Sequence, residues 1–299
     1  MKILKCYTFF VVLNLIGIYT AFADDEFPET RTYVPFKDSG FSKYAALSLR
    51  GSKKIVLTFD DGPSPVITPL VLDILKKYQV KATFFLMGQN INSVTYPIIE
   101  RALREGHLIG AHSMHHAQSN GLSEDQFKTD TKETFKRIQE VMDRSGIVQN
   151  EVYYRFPYGA YGRSHSYHHF NVLKEISQEI YGDNCINFVF WSTDSSDWVK
   201  GMTGDEVFEN VMASFDGGMI TDFAKVNGRF EKYRRKALPE EVTQGGVVLF
   251  HDVHTPSLDA LPHLLDTFQK RQIKVVLMNT VKEYSFDHKV CGANTEKHY

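Results

Sequence analysis

The chain has 299 residues, 42% of them hydrophobic and 13% aromatic, enough for one large single-core domain of barrel size or for two smaller ones. Its 34 basic residues nearly balance 36 acidic ones, and the formal net charge is -2. That balance leaves no basic patch for nucleic acid and no acidic tail.

Residues 1–23 stand apart. Lys2 and Lys5 precede an apolar core from about Tyr7 to Ile18, and Ala21-Phe22-Ala23 supplies a small-x-small cleavage signal. This is the pattern of a secretory signal peptide. The apolar run is broken by Asn14 and Gly17 and falls short of the ~20 residues of a comfortable span. The expectation is an exported chain, periplasmic or secreted, with no stable membrane insertion after cleavage; a retained anchor is the alternative. Cys6 would leave with the signal. Cys185 and Cys291 then permit one disulfide that would tie down the C-terminal tail, or stand as two separate buried thiols.

Residues 24–50 read as an extended arm with Pro28 and Pro35. Beyond it, strand and helix signals alternate. Ile55 to Phe59 is an unbroken apolar or β-branched run, as in strands buried on both faces, and Asp60-Asp61-Gly62-Pro63 ends it in a turn. Helical spacing follows from Val66 to Tyr78, a strand over Ala82–Leu86, a helix over Tyr96–Glu105 and a short strand over Leu108–Ala111. Ser123 caps a long helix with Asp125 and Gln126 in its first turn. Strands are predicted over Val152–Phe156, Asn187–Trp191, Gly246–Phe250 and Lys274–Met278, and helices over Tyr167–Ile180 and Leu258–Lys270. About seven strands alternating with helices call for a parallel α/β sheet. With no glycine-rich phosphate loop, a distorted (β/α) barrel fits better than a nucleotide-binding open sheet. Residues 201–244 break the rhythm: they carry their own helix, Asp205 to Phe215, then a basic, aromatic segment with Phe230, Tyr233, Arg234, Arg235 and Lys236. A connection this long predicts an inserted cap over the C-terminal face of the barrel, or a surface loop without function.

Polar groups cluster where the predicted strands end. Adjacent carboxylates repel unless a cation sits between them or one holds a proton, so Asp60-Asp61 is either a metal-side pair or a solvated turn. His112 and His116 are four apart and would share one face if the segment turned helically, although a chain with 12 histidines produces such spacings by chance. Together with the aspartates they make an Asp-His-His set available, which leaves a coordination position open for water. Arg155-Phe156-Pro157-Tyr158-Gly159 ends the next strand, and Arg155 could hold a carboxylate ionised. Asp194-Ser195-Ser196-Asp197-Trp198 and Leu249-Phe250-His251-Asp252 end two more. A histidine there could act as general acid if an acidic partner keeps it protonated.

Taken in order, these five segments resemble the five motifs of the polysaccharide deacetylases, carbohydrate esterase family 4, also called the NodB-homology domain. The resemblance covers about residues 50 to 285. It implies a catalytic domain over 51–286, containing the 201–244 insertion, with 287–299 as a C-terminal tail. It implies a metal-dependent hydrolase that removes N-acetyl groups from N-acetylglucosamine-type polysaccharide. Asp61, His112 and His116 would hold one divalent metal, zinc being expected and cobalt or another divalent ion the alternative. Asp60 would be the catalytic base, tuned by Arg155, and His251 the acid, tuned by Asp197. The backbone N–H of Tyr158 would help bind the oxyanion, and Trp198 and Leu249 would line the acetyl pocket. Peptidoglycan is the favoured substrate; chitin, poly-N-acetylglucosamine and O-acetylated xylan are alternatives, as is an inactive carbohydrate-binding homologue.

Overall fold

A computed structural model describes residues 46–161, 168–285 and 291. The expected signal peptide and most of the arm lie outside them, as does nearly all of the tail. Among the described residues no helix is long and apolar enough to cross a membrane.

The core is one all-parallel sheet. Its strands are β1 (Lys54–Asp60), β2 (Thr83–Leu86), β3 (Leu108–Ala111), β4 (Val152–Tyr154), β5 (Ile186–Phe188), β6 (Thr193–Asp194), β9 (Gly246–His251) and β10 (Lys274–Val275). They pair in the order β5-β4-β3-β2-β1-β9-β6. β10 pairs with Lys54 and Ile55, at the start of β1, while β2 pairs with Thr58 to Asp60 at its end. Between strands run α1 (Ile67–Lys77), α2 (Tyr96–Arg104), α3 (Glu124–Ser145), α4 (His168–Tyr181), α5 (Gly204–Asp216) and α6 (Thr255–Arg271). Ser123 caps α3 in a full capping box with Gln126, as its sequence predicts. The architecture is the expected distorted (β/α) barrel.

Side-chain alternation in the strands sorts residues into two buried sets. Ile55, Leu57, Phe59, Phe84, Ile109, Tyr154, Val248 and Phe250 face the helices. Val56, Phe85, Leu108, Tyr153 and Val247 face inward with Met278 and Tyr284, plugging one end of the barrel. Gly110 is required there, because an added Cβ would sit 2.6 Å from the Phe85 ring. Continuing the inward set in steps of two along each strand reaches Thr58 and Asp60, His112, Arg155, Leu249 and His251. The chemistry-bearing groups are therefore the inward residues at the C-terminal strand ends.

Three expectations change. The strand predicted over Asn187–Trp191 stops at Phe188. Val189 still donates to Tyr154 O and Ser192 to Val247 O, so three residue steps, about 10 Å at most, carry the chain from one sheet edge to the other. The last strand is only Lys274–Val275, and Met278 enters the interior from a 3₁₀ turn, Met278–Thr280. The insertion is an ordered element. After α5 it forms an antiparallel hairpin of β7 (Met219–Val226) and β8 (Arg229–Lys236). Cys185 and Cys291 are disulfide-bonded, with Cα atoms 5.6 Å apart, which joins the chain end to the start of β5.

Candidate active site

Asp60 and Arg155 form the floor of the site, and both are buried. Arg155 fills the seam where the chain crosses between sheet edges. Its Nε donates to Val189 O at 3.1 Å, one terminal nitrogen reaches Phe190 O at 3.4 Å, and the other donates to Thr58 Oγ1 and Asp60 Oδ1, both at 2.8 Å. The guanidinium lies over the Phe85 ring at 4.2 Å. Thr58 in turn donates to Val248 O at 2.6 Å. One Asp60 oxygen is thus fixed by a charge-assisted bond, and the other, Oδ2, faces His112 Nε2 at 3.7 Å.

Above the floor, Asp61, His112 and His116 converge. Their ligand atoms all lie within 4.8 Å of one another. The histidine segment does not turn helically. Instead Ser113 and His116 take left-handed backbone conformations, φ 60° and 55°, and the Ser113 hydroxyl accepts the N–H of His116 at 2.9 Å, closing the turn. Asp130 on α3 accepts the Met114 N–H at 2.8 Å. His115 turns away to Gln89, 3.1 Å from its Nδ1. Asp61, Tyr158 and Ser196 are also left-handed, φ 73°, 58° and 59°. Non-glycine residues held so cost on the order of 1–3 kcal/mol each and persist only where their surroundings over-determine them.

The donor set suits a divalent cation. His112 Nδ1 donates to Arg155 O at 2.9 Å, because a carbonyl can only accept; in the neutral ring Nε2 is then bare. That nitrogen is 3.4 Å from Asp61 Oδ1, and His116 Nε2 is 3.2 Å from it. Asp61 Oδ1 is buried with no hydrogen-bond partner. Burial opposes ionisation of Asp61, but the imidazoles of His112 and then His251 and His116 outweigh it and hold the carboxyl well below its ordinary range. Burial, with His112 beside it, lowers His116 to about 4, so its ring is neutral near pH 7. A buried carboxylate oxygen facing two imidazole nitrogens at these distances fits one metal ion.

Across the mouth, His251 is in register with Asp60 on the neighbouring strand. Asp197 grips it twice, accepting from His251 Nδ1 at 2.6 Å and from its backbone N–H at 2.7 Å. The Ser257 hydroxyl also donates to Asp197. Burial disfavours the charged imidazole, yet the Asp197 carboxylate overrides it and raises His251 well above an ordinary histidine. Tyr158 sits half-exposed with its ring against His116 at 4.5 Å. Leu249 is buried between Thr58 and Asp194, while Trp198 is partly exposed at the rim. All ten residues singled out from the sequence therefore gather at one end of the barrel.

The family model described as "Polysaccharide deacetylase" matches residues 49–168. A peptidoglycan-N-acetylglucosamine deacetylase of Bacillus cereus is 32% identical over 222 residues, covering 72% of this chain and 72% of that protein.

The chain belongs to the polysaccharide deacetylase family, carbohydrate esterase family 4.

A Listeria monocytogenes peptidoglycan-N-acetylglucosamine deacetylase of that family is 30% identical over 233 residues, 76% of this chain, and the chain spans only 38% of that protein's length. Among solved structures, a family 4 acetyl xylan esterase from Clostridium thermocellum, in complex with a cobalt ion, superposes with a TM-score of 0.56 at 26% identity. It covers 76% of this chain and 89% of its own.

Several supporting residues of this site escape the motif reading. Thr58 had a signal, since it precedes Asp60 by two on the inward face. Ser257, in the first turn of α6, had none. Asp252 explains the glycine of Asp60-Asp61-Gly62: its buried carboxyl, lifted by burial to about 7, packs so closely that a Cβ on Gly62 would collide with it. Thr68 donates to the same carboxyl.

Proposed function

We propose that this chain is a metal-dependent polysaccharide N-deacetylase acting on N-acetylglucosamine-type units, with peptidoglycan as the favoured polymer. The supporting observation is the opposition of two buried, partnered groups, Asp60 on Arg155 and His251 on Asp197, across a converging Asp61-His112-His116 donor set. The relatives in Bacillus cereus and Listeria monocytogenes support the polymer. One aspartate and two imidazoles suit zinc, with cobalt or another divalent ion also accommodated.

An amide is a weak electrophile with a poor leaving group. A divalent cation on Asp61, His112 and His116 supplies Lewis acidity to the acetyl carbonyl and to water. Asp60, one oxygen tied to Arg155, takes the proton of the attacking water through the other. The backbone N–H of Tyr158 helps hold the oxyanion as the carbonyl becomes tetrahedral. His251, its Nδ1 bonded to Asp197, passes the proton on Nε2 to the departing amine. Trp198 and Leu249 border the acetyl methyl. The signal-peptide pattern and the disulfide support export to where such polymers lie.

Acetate release across peptidoglycan, chitin oligomers, poly-N-acetylglucosamine and O-acetylated xylan tests the reading. Release from N-acetylated polymers, peptidoglycan foremost, is expected. Release from xylan alone would make the chain an O-acetyl esterase like its Clostridium relative, and release from none would make it a binding homologue.

A further inference from the structure

The insertion is anchored to the catalytic side of the barrel. Asn210 on α5 accepts the Thr221 N–H at 2.7 Å and donates to Thr221 O at 2.8 Å and Ser195 O at 3.1 Å. One amide thereby ties the base of the hairpin to the loop that carries Asp197. The hairpin register places Thr221, Phe223 and Lys225 on one face with their partners Arg234, Lys232 and Phe230. This face meets the rim. Phe223 and Phe230 pack edge-on against Trp198, at 4.4 and 5.3 Å between ring centroids.

Two features of this corner are unsatisfied by the protein itself. Phe230 remains 50% exposed although it is packed beside the site. Three of the six hairpin cations are neutralised: Lys232 pairs with Glu206, Arg234 with Glu209, and Arg235 with Asp222 and Glu241, whereas Lys236 at the base of the hairpin has no acidic partner among the described residues. Lys225, whose ammonium lies 5.9 Å from the centre of the Phe230 ring, has no acidic partner among the described residues. Arg229, on the outward face beside Glu231, likewise has none among them. A cation spaced against a half-exposed ring that packs on Trp198 matches a ligand with an apolar sugar face and a carboxylate.

We propose that Phe230 and Lys225 form a substrate subsite for a carboxylate-bearing hexosamine unit next to the sugar being deacetylated. Phe230 takes the pyranose face, and Lys225 takes the carboxylate. This rests on the N-deacetylase reading and narrows it, since peptidoglycan carries carboxylates on its peptides, and on the lactyl group of units without a peptide, whereas chitin is neutral. Tyr233, on the opposite face, and the paired Arg234 and Arg235 are not part of the subsite.

The test measures kcat/KM of the full chain on peptidoglycan strands and on neutral N-acetylglucosamine oligomers of matched length. Lys225→Glu should lower the ratio of the two about tenfold, through KM on peptidoglycan, and the loss should shrink in high salt. Lys225→Gln should give a smaller loss in the same direction. Phe230→Ala should raise KM on both polymers, and Phe230→Tyr should restore it. Lys136→Glu, which reverses an exposed charge on α3, should leave the ratio unchanged. An unchanged ratio in Lys225→Glu, or an equal fall in the Lys136→Glu control, overturns the subsite. If the parent chain releases acetate from neither polymer, the deacetylase reading fails instead. Equilibrium binding of the same glycans then decides the subsite: Lys225-dependent preference for the anionic strand keeps it, and equal binding ends it.

Discussion

The barrel mouth and the inserted hairpin both carry arginines paired with carboxylates, yet they solve different problems. At the mouth Arg155 and Asp60 are buried, at 0% and 2% exposure, and every guanidinium nitrogen has an acceptor. On the hairpin, Arg235 lies between Asp222 and Glu241 with about a fifth of its side chain in water. Charges out of water are expensive unless geometry satisfies them, so the mouth tolerates almost no change. Charges at the surface are screened and contribute little, so the hairpin can vary while the barrel holds. That division suits fixed chemistry on one side and adjustable substrate contact on the other.

The largest effect should come from the donor set. His116→Ala removes one of three converging ligands, and activity should fall to background with the metal lost on elemental analysis. Full metal retention in that variant would reject Asp61, His112 and His116 as the site. Asp60→Asn comes next. It keeps the shape of the floor and removes the base, so the rate should fall on the order of 10²–10⁴ while metal stays bound. Loss of metal along with rate would make Asp60 a ligand and exchange the roles of the two aspartates.

Asp197→Asn should act through pH. In the native chain Asp197 raises His251 to about 10, so its imidazole is protonated through neutral pH, as the proposed acid must be. Without that carboxylate the imidazole falls toward its ordinary ~6.5, and activity should decline from about pH 7 upward instead of at high pH. Stability follows the same sign. A histidine whose folded pKa is raised contributes fully below its unfolded pKa, and that contribution is lost as pH rises through the folded value. The native chain should therefore lose stability on the alkaline side, and Asp197→Asn should lose less there. An unchanged alkaline limb in the variant's pH–rate profile would remove His251 as the acid.

Much of this contrast was legible in the sequence. Asp60, His112, Arg155 and His251 each fall at or just past the end of an apolar strand run, so the strand ends locate them. The motif order supplies the rest of the site. Long-range geometry was not legible. Nothing local says that residues 189–192 cross between sheet edges, because the acceptors that Arg155 satisfies there are backbone carbonyls. The i, i+4 spacing of the histidines does not distinguish a helical turn from the left-handed turn that Ser113 closes. The insertion showed its composition but not its pairing, and pairing leaves Lys225 without an acidic partner among the described residues while occupying Arg234 and Arg235.

The smallest effect should be on the hairpin side, and it separates the two regions most directly. Arg155→Ala would leave the Asp60 charge buried without its partner, a change that typically costs ~3–5 kcal/mol. Arg235→Ala removes an arginine of equal size and charge that also contacts two carboxylates. There, Asp222 and Glu241 keep access to water at 15% and 18% side-chain exposure, so neither is stranded. Double bonding to Glu241, at 2.8 and 2.6 Å, places the pair toward the upper end of surface ion pairs, about 1 kcal/mol. Chemical denaturation should show that loss, diminished in high salt, with the Asp60→Asn and Asp197→Asn effects on rate unaltered when combined with it. A loss approaching that of Arg155→Ala would mean that the hairpin belongs to the cooperative core of the barrel, and the division between fixed chemistry and variable contact would no longer stand.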